Sequence, residues 1–319
     1  MSKIGKLVAI AGRMKPDKDI QVQKLRVGKI PVLVLRPKVP QEKTPALLWI
    51  HGGGYFLGMK EMVYMGRAAD LVNRFGITVI SPGYRLAFQK PYPAALQDCY
   101  RTLIFMKKHA EALGIDADKI MVGGESAGGG LAAALCMLAR DRGTVKIAYQ
   151  FPLYPMLSNL DTESSRDNHG RVWNTKRNHL GWRFYLRGNA KKKVSPYASP
   201  IHRKDFSGLP PAYTFVGNGE PFYAETLEYV RKLKEAGVEA EADIYPSDMH
   251  AFDMLDPESE VSRRAIRTFE ERFEKALIVN YNKTSYKVLK ENAWRSHYGR
   301  EKSEGNERRV FESKDRKQS

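Results

Sequence analysis

From residue 46 onward, short apolar runs alternate with amphipathic helical stretches, and this rhythm leaves few architectures open. The runs at 46–50, 77–80, 119–122, 145–151, 212–216 and 240–245 read as strands. Between them, 66–75, 93–109, 127–140, 222–235 and 259–277 carry helical spacing of apolar positions. Pro93 suits a first turn, and Gly237 a helix end. Strands alternating with helices of this length build a mostly parallel sheet covered on both faces, which is an α/β fold. Ahead of them, 22–27 and 30–35 flank Gly28-Lys29 and read as a β-hairpin. Pro31 would start its strand, where a missing donor does least harm.

Two segments break the rhythm. Residues 155–200, rich in Arg, Asn, Trp and Tyr, fit no βα unit and read as an insertion; residues 281–319 are highly charged and read as a tail. The expected organisation is one α/β domain over 1–280 followed by a C-terminal tail over 281–319. Two cysteines, Cys99 and Cys136, exclude a disulfide-stapled scaffold and make a reducing compartment the default. No apolar run approaches the ~18–20 residues that a bilayer span requires. The apolar patch at 7–11 is too short for a signal-peptide core, so a cytoplasmic protein without a membrane span is expected.

Charge needs an address before it is interpreted. The chain carries 53 Lys+Arg against 36 Asp+Glu, a formal net charge of +17, which raises nucleic acid as a partner. The excess is local, however. Ten basic residues oppose two acidic ones in 1–40, eleven oppose one in 166–204, and eleven oppose six in 281–319, whereas 205–280 holds eight against sixteen. No RNP, zinc-finger or heptad pattern accompanies the charge, so no specific nucleic-acid partner is expected.

The chemistry gathers in three loops. The strand at 119–122 runs into Gly124-Glu125-Ser126-Ala127-Gly128, and a helix follows. A serine hydroxyl becomes a useful nucleophile when a tight strand–turn–helix projects it toward a base, and the flanking glycines let that turn close. The helix start also aims free N–H groups at the oxygen that becomes negative. His51-Gly52-Gly53-Gly54 ends the strand at 46–50, and consecutive glycines let backbone N–H groups approach a cavity closely, as an oxyanion hole requires. Neither G-x-x-x-x-G-K-[ST] nor G-x-G-x-x-G is present to support a phosphate loop instead. In the order Ser, acid, His, the loops after the late strands offer Glu220 and His250. Asp248 and Glu225 compete with Glu220 as the acid; Glu220 is preferred because it sits in the loop after the strand at 212–216.

These pieces resemble the hormone-sensitive-lipase-like esterases of the α/β-hydrolase superfamily. The matching residues are His51-Gly52-Gly53-Gly54, Tyr84-Arg85-Leu86-Ala87, Pro91 through Asp98, Gly124 through Gly129, Ser195 through Pro200, Glu220-Pro221-Phe222 and Tyr245 through Phe252, in family order. The resemblance implies an α/β-hydrolase fold and a carboxylic-ester hydrolase that uses no cofactor and no metal. By position it makes Ser126 the nucleophile, His250 the base, Glu220 the acid, and Gly53, Gly54 and Ala127 the oxyanion donors. His51 becomes a loop-ordering residue, supported by Gly52, Gly124 and Gly128. The family acid is commonly Asp followed by Pro-Leu, where this chain has Glu followed by Pro-Phe; Glu125 replaces the frequent Asp beside the serine.

The resemblance also implies a cap over the acyl pocket, here 1–20 and 155–200, with Trp173, Trp182, Phe184 and Tyr185 at the entrance. The expected substrate is a small ester with an acetyl to butyryl acyl group, and the basic cap raises an anionic one. Homo-oligomer formation is left open. An amidase or peptidase with the same triad and a non-catalytic ligand-binding member of the fold are the alternatives.

Overall fold

The computed structural model describes residues 13–39, 43–187 and 193–280. The expected tail at 281–319, and residues 1–12 of the expected N-terminal cap piece, lie outside the described residues. Eight strands form one sheet in the order β1-β2-β4-β3-β5-β6-β7-β8. They are β1 (Ile20–Val27), β2 (Ile30–Pro37), β3 (Thr44–Ile50), β4 (Thr78–Pro82), β5 (Ile115–Glu125), β6 (Gln150–Leu153), β7 (Ala212–Gly217) and β8 (Ala240–Tyr245). The hairpin β1–β2 and the pair β2–β4 are antiparallel, and every other pairing is parallel.

The helices are α1 (Arg67–Phe75), α2 (Ala94–Lys108), α3 (Ala127–Arg142), α4 (Thr175–Tyr185), α5 (Tyr223–Glu235), α6 (Phe252–Leu255) and α7 (Glu260–Asn280). Strand alternation assigns side chains to two cores. Val32, Val34, Ala46, Leu48 and Ile50 pack with α2, α3 and α5 on one face. Leu33, Leu35, Leu47 and Trp49 pack with α1 and α7 on the other. A side-chain period of two on strands buried from both sides therefore produces two apolar layers, as an α/β sandwich needs.

The expected strand at 145–151 is shorter in the structure. β6 aligns with β5 over Gln150–Leu153, and before that the chain meets β5 through two backbone bonds, Ala148 N–H to Ile120 O at 2.8 Å and Val122 N–H to Tyr149 O at 3.1 Å. Val145 and Ile147 bury in the core without strand pairing, so their apolarity reports packing rather than a ladder. The 155–200 insertion contains α4, whose N-cap Asn174 accepts the Arg177 N–H at 3.1 Å.

Of the four aromatics expected at an entrance, Trp182 and Tyr185 face inward and pack on Tyr55, with ring centroids 5.4 and 3.9 Å away. Phe184 lies on Phe56. Only Trp173 reaches the cavity at Ser126. The difference has a simple cause: large apolar rings on a helix laid over an open loop gain more by burial than by lining a mouth. No described helix is long and apolar enough to cross a membrane.

Candidate active site

β5 and α3 meet at Ser126, whose backbone has φ 59° and ψ −120°. This is a sparsely populated conformation for a residue with a Cβ, and neighbouring chain holds it there. Ser126 N–H donates to Leu153 O, and Ser126 O accepts from Met156 N–H, each at 3.0 Å. The glycines at either end of the turn are sterically required. A Cβ on Gly128 would collide with the carbonyls of Ile50 and His51, and one on Gly124 with Ile50 and Gly128. The turn is thus pressed against the end of β3, beside the glycine loop.

Ser126 Oγ lies 2.8 Å from His250 Nε2, and His250 Nδ1 is hydrogen-bonded to Glu220 Oε2. Glu220 Oε1 also accepts the Gly217 N–H at 2.7 Å. All three side chains are buried. Burial pushes the Glu220 carboxyl up, and the facing imidazole and the Gly217 N–H pull it back. The loop bearing Glu220 is clasped from the insertion: Ser164 Oγ donates to Pro221 O at 2.8 Å, and Asn168 Nδ2 to Gly219 O at 3.1 Å.

The rival carboxylates are elsewhere. Asp248 is exposed, and Glu225 turns back to accept the Leu157 N–H at 2.6 Å.

The glycine loop is built on His51. Its Nδ1 donates to Gly52 O at 2.8 Å, and its ring stacks on Tyr84 with centroids 4.2 Å apart. Tyr84 OH donates to His51 O at 3.0 Å. Burial lowers the imidazole to about 4, so it is neutral at physiological pH. Gly53 lines the cavity, while Gly54 backs onto Trp173, so a Cβ there would strike the indole. The N–H groups of Gly53, Gly54 and Ala127 donate to no backbone carbonyl among the described residues.

The cavity at Ser126 is small, about 60 Å³, and its wall includes Met62, Val172, Trp173, Met254 and Leu255. No Lys or Arg among the described residues contributes to that wall; the described part of the basic stretch reaches it through Val172 and Trp173. A larger groove of about 1010 Å³ opens between the hairpin turn, the loop after β4 and α2, but neither Ser126 nor His250 lines it.

Glu125 is the one acidic residue on the Ser126 cavity wall among those described, and it accepts the Trp49 Nε1–H at 2.8 Å. Burial raises its carboxyl from the ordinary 4.5 to about 8, against the pull of Arg67. A folded value above the unfolded one favours the protonated form in the fold. The stability it contributes is full below 4.5 and is lost as pH rises through about 8. Glu125→Gln stays neutral throughout. Its melting temperature relative to wild type should therefore climb between pH values of about 5 and 8.5; a pH-independent difference would show that the carboxyl ionises normally.

Comparison with known proteins places the chain in a family. The family model for the alpha/beta hydrolase fold matches residues 47–254. The arylesterase of Saccharolobus solfataricus is 31% identical over 256 residues, covering 78% of this chain and 82% of that protein. The ethyl acetate hydrolase of Pseudomonas putida is 30% identical over 252 residues, covering 76% and 78%. Among solved structures, a bacterial heroin esterase superposes with a TM-score of 0.77 at 33% identity, covering 83% of this chain and 86% of that one. The chain belongs to the α/β-hydrolase family, as one of its hormone-sensitive-lipase-like esterases.

Sequence reasoning missed Met62, Met254 and Leu255 in the cavity wall, and Arg67 and Asp253 beneath it. No local signal marks them, because each reaches the site only through packing.

Proposed function

We propose that the protein is a serine carboxylic-ester hydrolase for short-acyl esters, acetyl to butyryl, working through Ser126, His250 and Glu220. The observation that carries this reading is the continuous hydrogen-bonded relay from Ser126 Oγ through both imidazole nitrogens to Glu220, set in the wall of a small apolar cavity. Ser126 Oγ attacks the ester carbonyl carbon as His250 Nε2 takes its proton. The carbonyl oxygen gains the negative charge and is held by the N–H groups of Gly53, Gly54 and Ala127. The tetrahedral intermediate collapses, the alcohol leaves with the proton from His250, and an acyl-serine remains. Water then attacks the acyl carbon as His250 takes its proton; the Ser126 Oγ–acyl bond breaks, His250 returns the proton to Oγ, and the carboxylic acid leaves. Glu220 holds the imidazole tautomer and stabilises the imidazolium at each proton transfer.

Chamber size supports a short acyl group, and a relative acts on ethyl acetate by its name. No Lys or Arg among the described residues lines the wall, and Glu125 there is held protonated, so an uncharged ester fits it. Residues 155–187 and 193–200 serve as the cap, closing the site with Trp173. The buried free thiols Cys99 and Cys136 suit a reducing cytoplasm.

The test is a p-nitrophenyl series of acetate, butyrate and octanoate, with acetyl p-nitroanilide as the matched amide. kcat/KM should fall by about tenfold or more from butyrate to octanoate, because a longer chain has no unfilled space. The amide should turn over far more slowly than the acetate. Trp173→Ala should flatten the decline by opening the wall. Wild-type turnover of octanoate equal to butyrate, or an unchanged profile in Trp173→Ala, would overturn the acyl-length reading; faster amide than ester turnover would overturn the ester reading.

A further inference from the structure

The triad leaves a second group of buried charges without a task. Arg67 on α1 and Asp253 on α6 are both buried, and both terminal nitrogens of the guanidinium reach Asp253 Oδ2. Tyr154 OH donates to the same oxygen at 3.3 Å. The Tyr154 ring stands edge-on to the His250 imidazole, with centroids 5.2 Å apart at 81°. The guanidinium is walled by Phe215 and Phe269, 5.5 and 5.8 Å from its carbon.

Stability is a poor account of this arrangement. Attraction between buried charges offsets their desolvation only when the remaining lone pairs and protons are also satisfied. Here Arg67 Nε and Asp253 Oδ1 have no hydrogen-bond partner among the described residues. What the pair does hold is the turn that carries His250. Ala251, the next residue, has φ 57° and ψ 39°, a left-handed conformation that a Cβ disfavours. It leads into α6, a four-residue helix too short to fix that turn by its own hydrogen bonds. Asp253 lies in that helix, and Arg67 lies in α1, which packs on α7 and on strands β1, β2 and β4. Ser262 Oγ, donating to Phe252 O at 3.1 Å, is a second tie from α7.

We propose that the Arg67–Asp253 ion pair is a positioning device for His250. It anchors α6 to α1, keeps Ala251 in its left-handed conformation and holds the imidazole in line with Ser126, with the Tyr154 ring as a lateral stop. Neither charge touches the reacting atoms, so both are positioning residues. The proposal rests on the triad reading.

It also carries an electrostatic signature. Charged and titratable groups around the pair are Asp70 on α1, Glu125 at the end of β5, Tyr154 after β6, Glu220 after β7 and Glu270 on α7. With Asp253 neutralised, the Arg67 charge loses its counter-charge on the far side of Tyr154 from His250, and a positive charge left unbalanced there disfavours the imidazolium.

The test compares wild type with Asp253→Asn, Arg67→Lys and Ser126→Ala on p-nitrophenyl acetate; turnover is expressed per active site counted by fluorophosphonate labelling run to completion, and per mole of folded protein for Ser126→Ala, which the label cannot count. In Asp253→Asn, kcat should fall about 10- to 100-fold with KM within about twofold, since a small misplacement of the base acts on the chemical step. The acid limb of its pH–rate profile should move to lower pH, whereas a purely structural loss would leave that limb in place. Arg67→Lys keeps the charge but loses the fork; kcat should fall several-fold with the acid limb near wild type. If Asp253→Asn is folded but keeps wild-type kcat and acid limb while Ser126→Ala is dead, the positioning role is wrong and the triad stands. If Asp253→Asn does not fold, a wild-type kcat in Arg67→Lys overturns the role. Wild-type turnover in Ser126→Ala instead overturns the triad reading itself.

Discussion

Ser126→Ala should lower kcat/KM for p-nitrophenyl acetate by about 10⁴-fold or more, because loss of the nucleophile costs nearly as much as loss of the whole triad. The fold should be unaffected. Ala differs only by an oxygen at the cavity wall, and the hydrogen bonds that hold the turn, to Leu153 O and from Met156 N–H, belong to the backbone. Thermal midpoint and circular dichroism should therefore match wild type while labelling by a fluorophosphonate disappears. In wild type the label should map to Ser126 by mass spectrometry. Activity within tenfold of wild type, or a label on another serine, would remove Ser126 as the nucleophile. Residual turnover in the variant belongs to the oxyanion donors and substrate binding, which the substitution leaves in place.

Glu220→Gln should lower kcat by about 10³- to 10⁴-fold with little change in KM. The amide oxygen can still accept the Gly217 N–H that Glu220 Oε1 takes at 2.7 Å. Its NH₂ would then face His250 Nδ1 as a donor and force the ring proton onto Nε2, where it points at Ser126 and blocks proton abstraction. Asp248→Asn and Glu225→Gln are the matched controls. Asp248 is exposed, and Glu225 is engaged with the Leu157 N–H, which a glutamine oxygen also accepts. Both controls should keep kcat within about threefold, and Glu225→Ala should show its effect in the melting temperature, since a buried N–H would lose its partner. A Glu220→Gln variant within tenfold of wild type, or an equal loss in Asp248→Asn, would reassign the acid.

The sheet and most of the helices were legible because local periodicity reports burial. The centres of the expected strands and helices from Ala46 to Leu277 lie within observed elements except at 145–151, where apolar Val145 and Ile147 pack without pairing and β6 begins at Gln150. The site loops were legible for a different reason. Glycines at 124 and 128 are needed where two backbones touch, and that steric demand leaves a pattern of adjacent residues.

By itself, then, the sequence determined the α/β class, the two glycine loops and the place of Ser126 and His250 in chain order, all features written in near neighbours. Loop position in the sequence preferred Glu220, and tertiary structure brought that carboxylate against the imidazole while Asp248 stayed at the surface and Glu225 turned to Leu157. Tertiary structure also turned Trp182 and Tyr185 into the core while leaving Trp173 at the cavity, and brought Arg67 to Asp253 across 186 positions of chain. The physical reason is range. Turn sterics and amphipathic periods act over a few residues, whereas buried charge pairs and cavity walls depend on which surfaces the sheet and its helices press together.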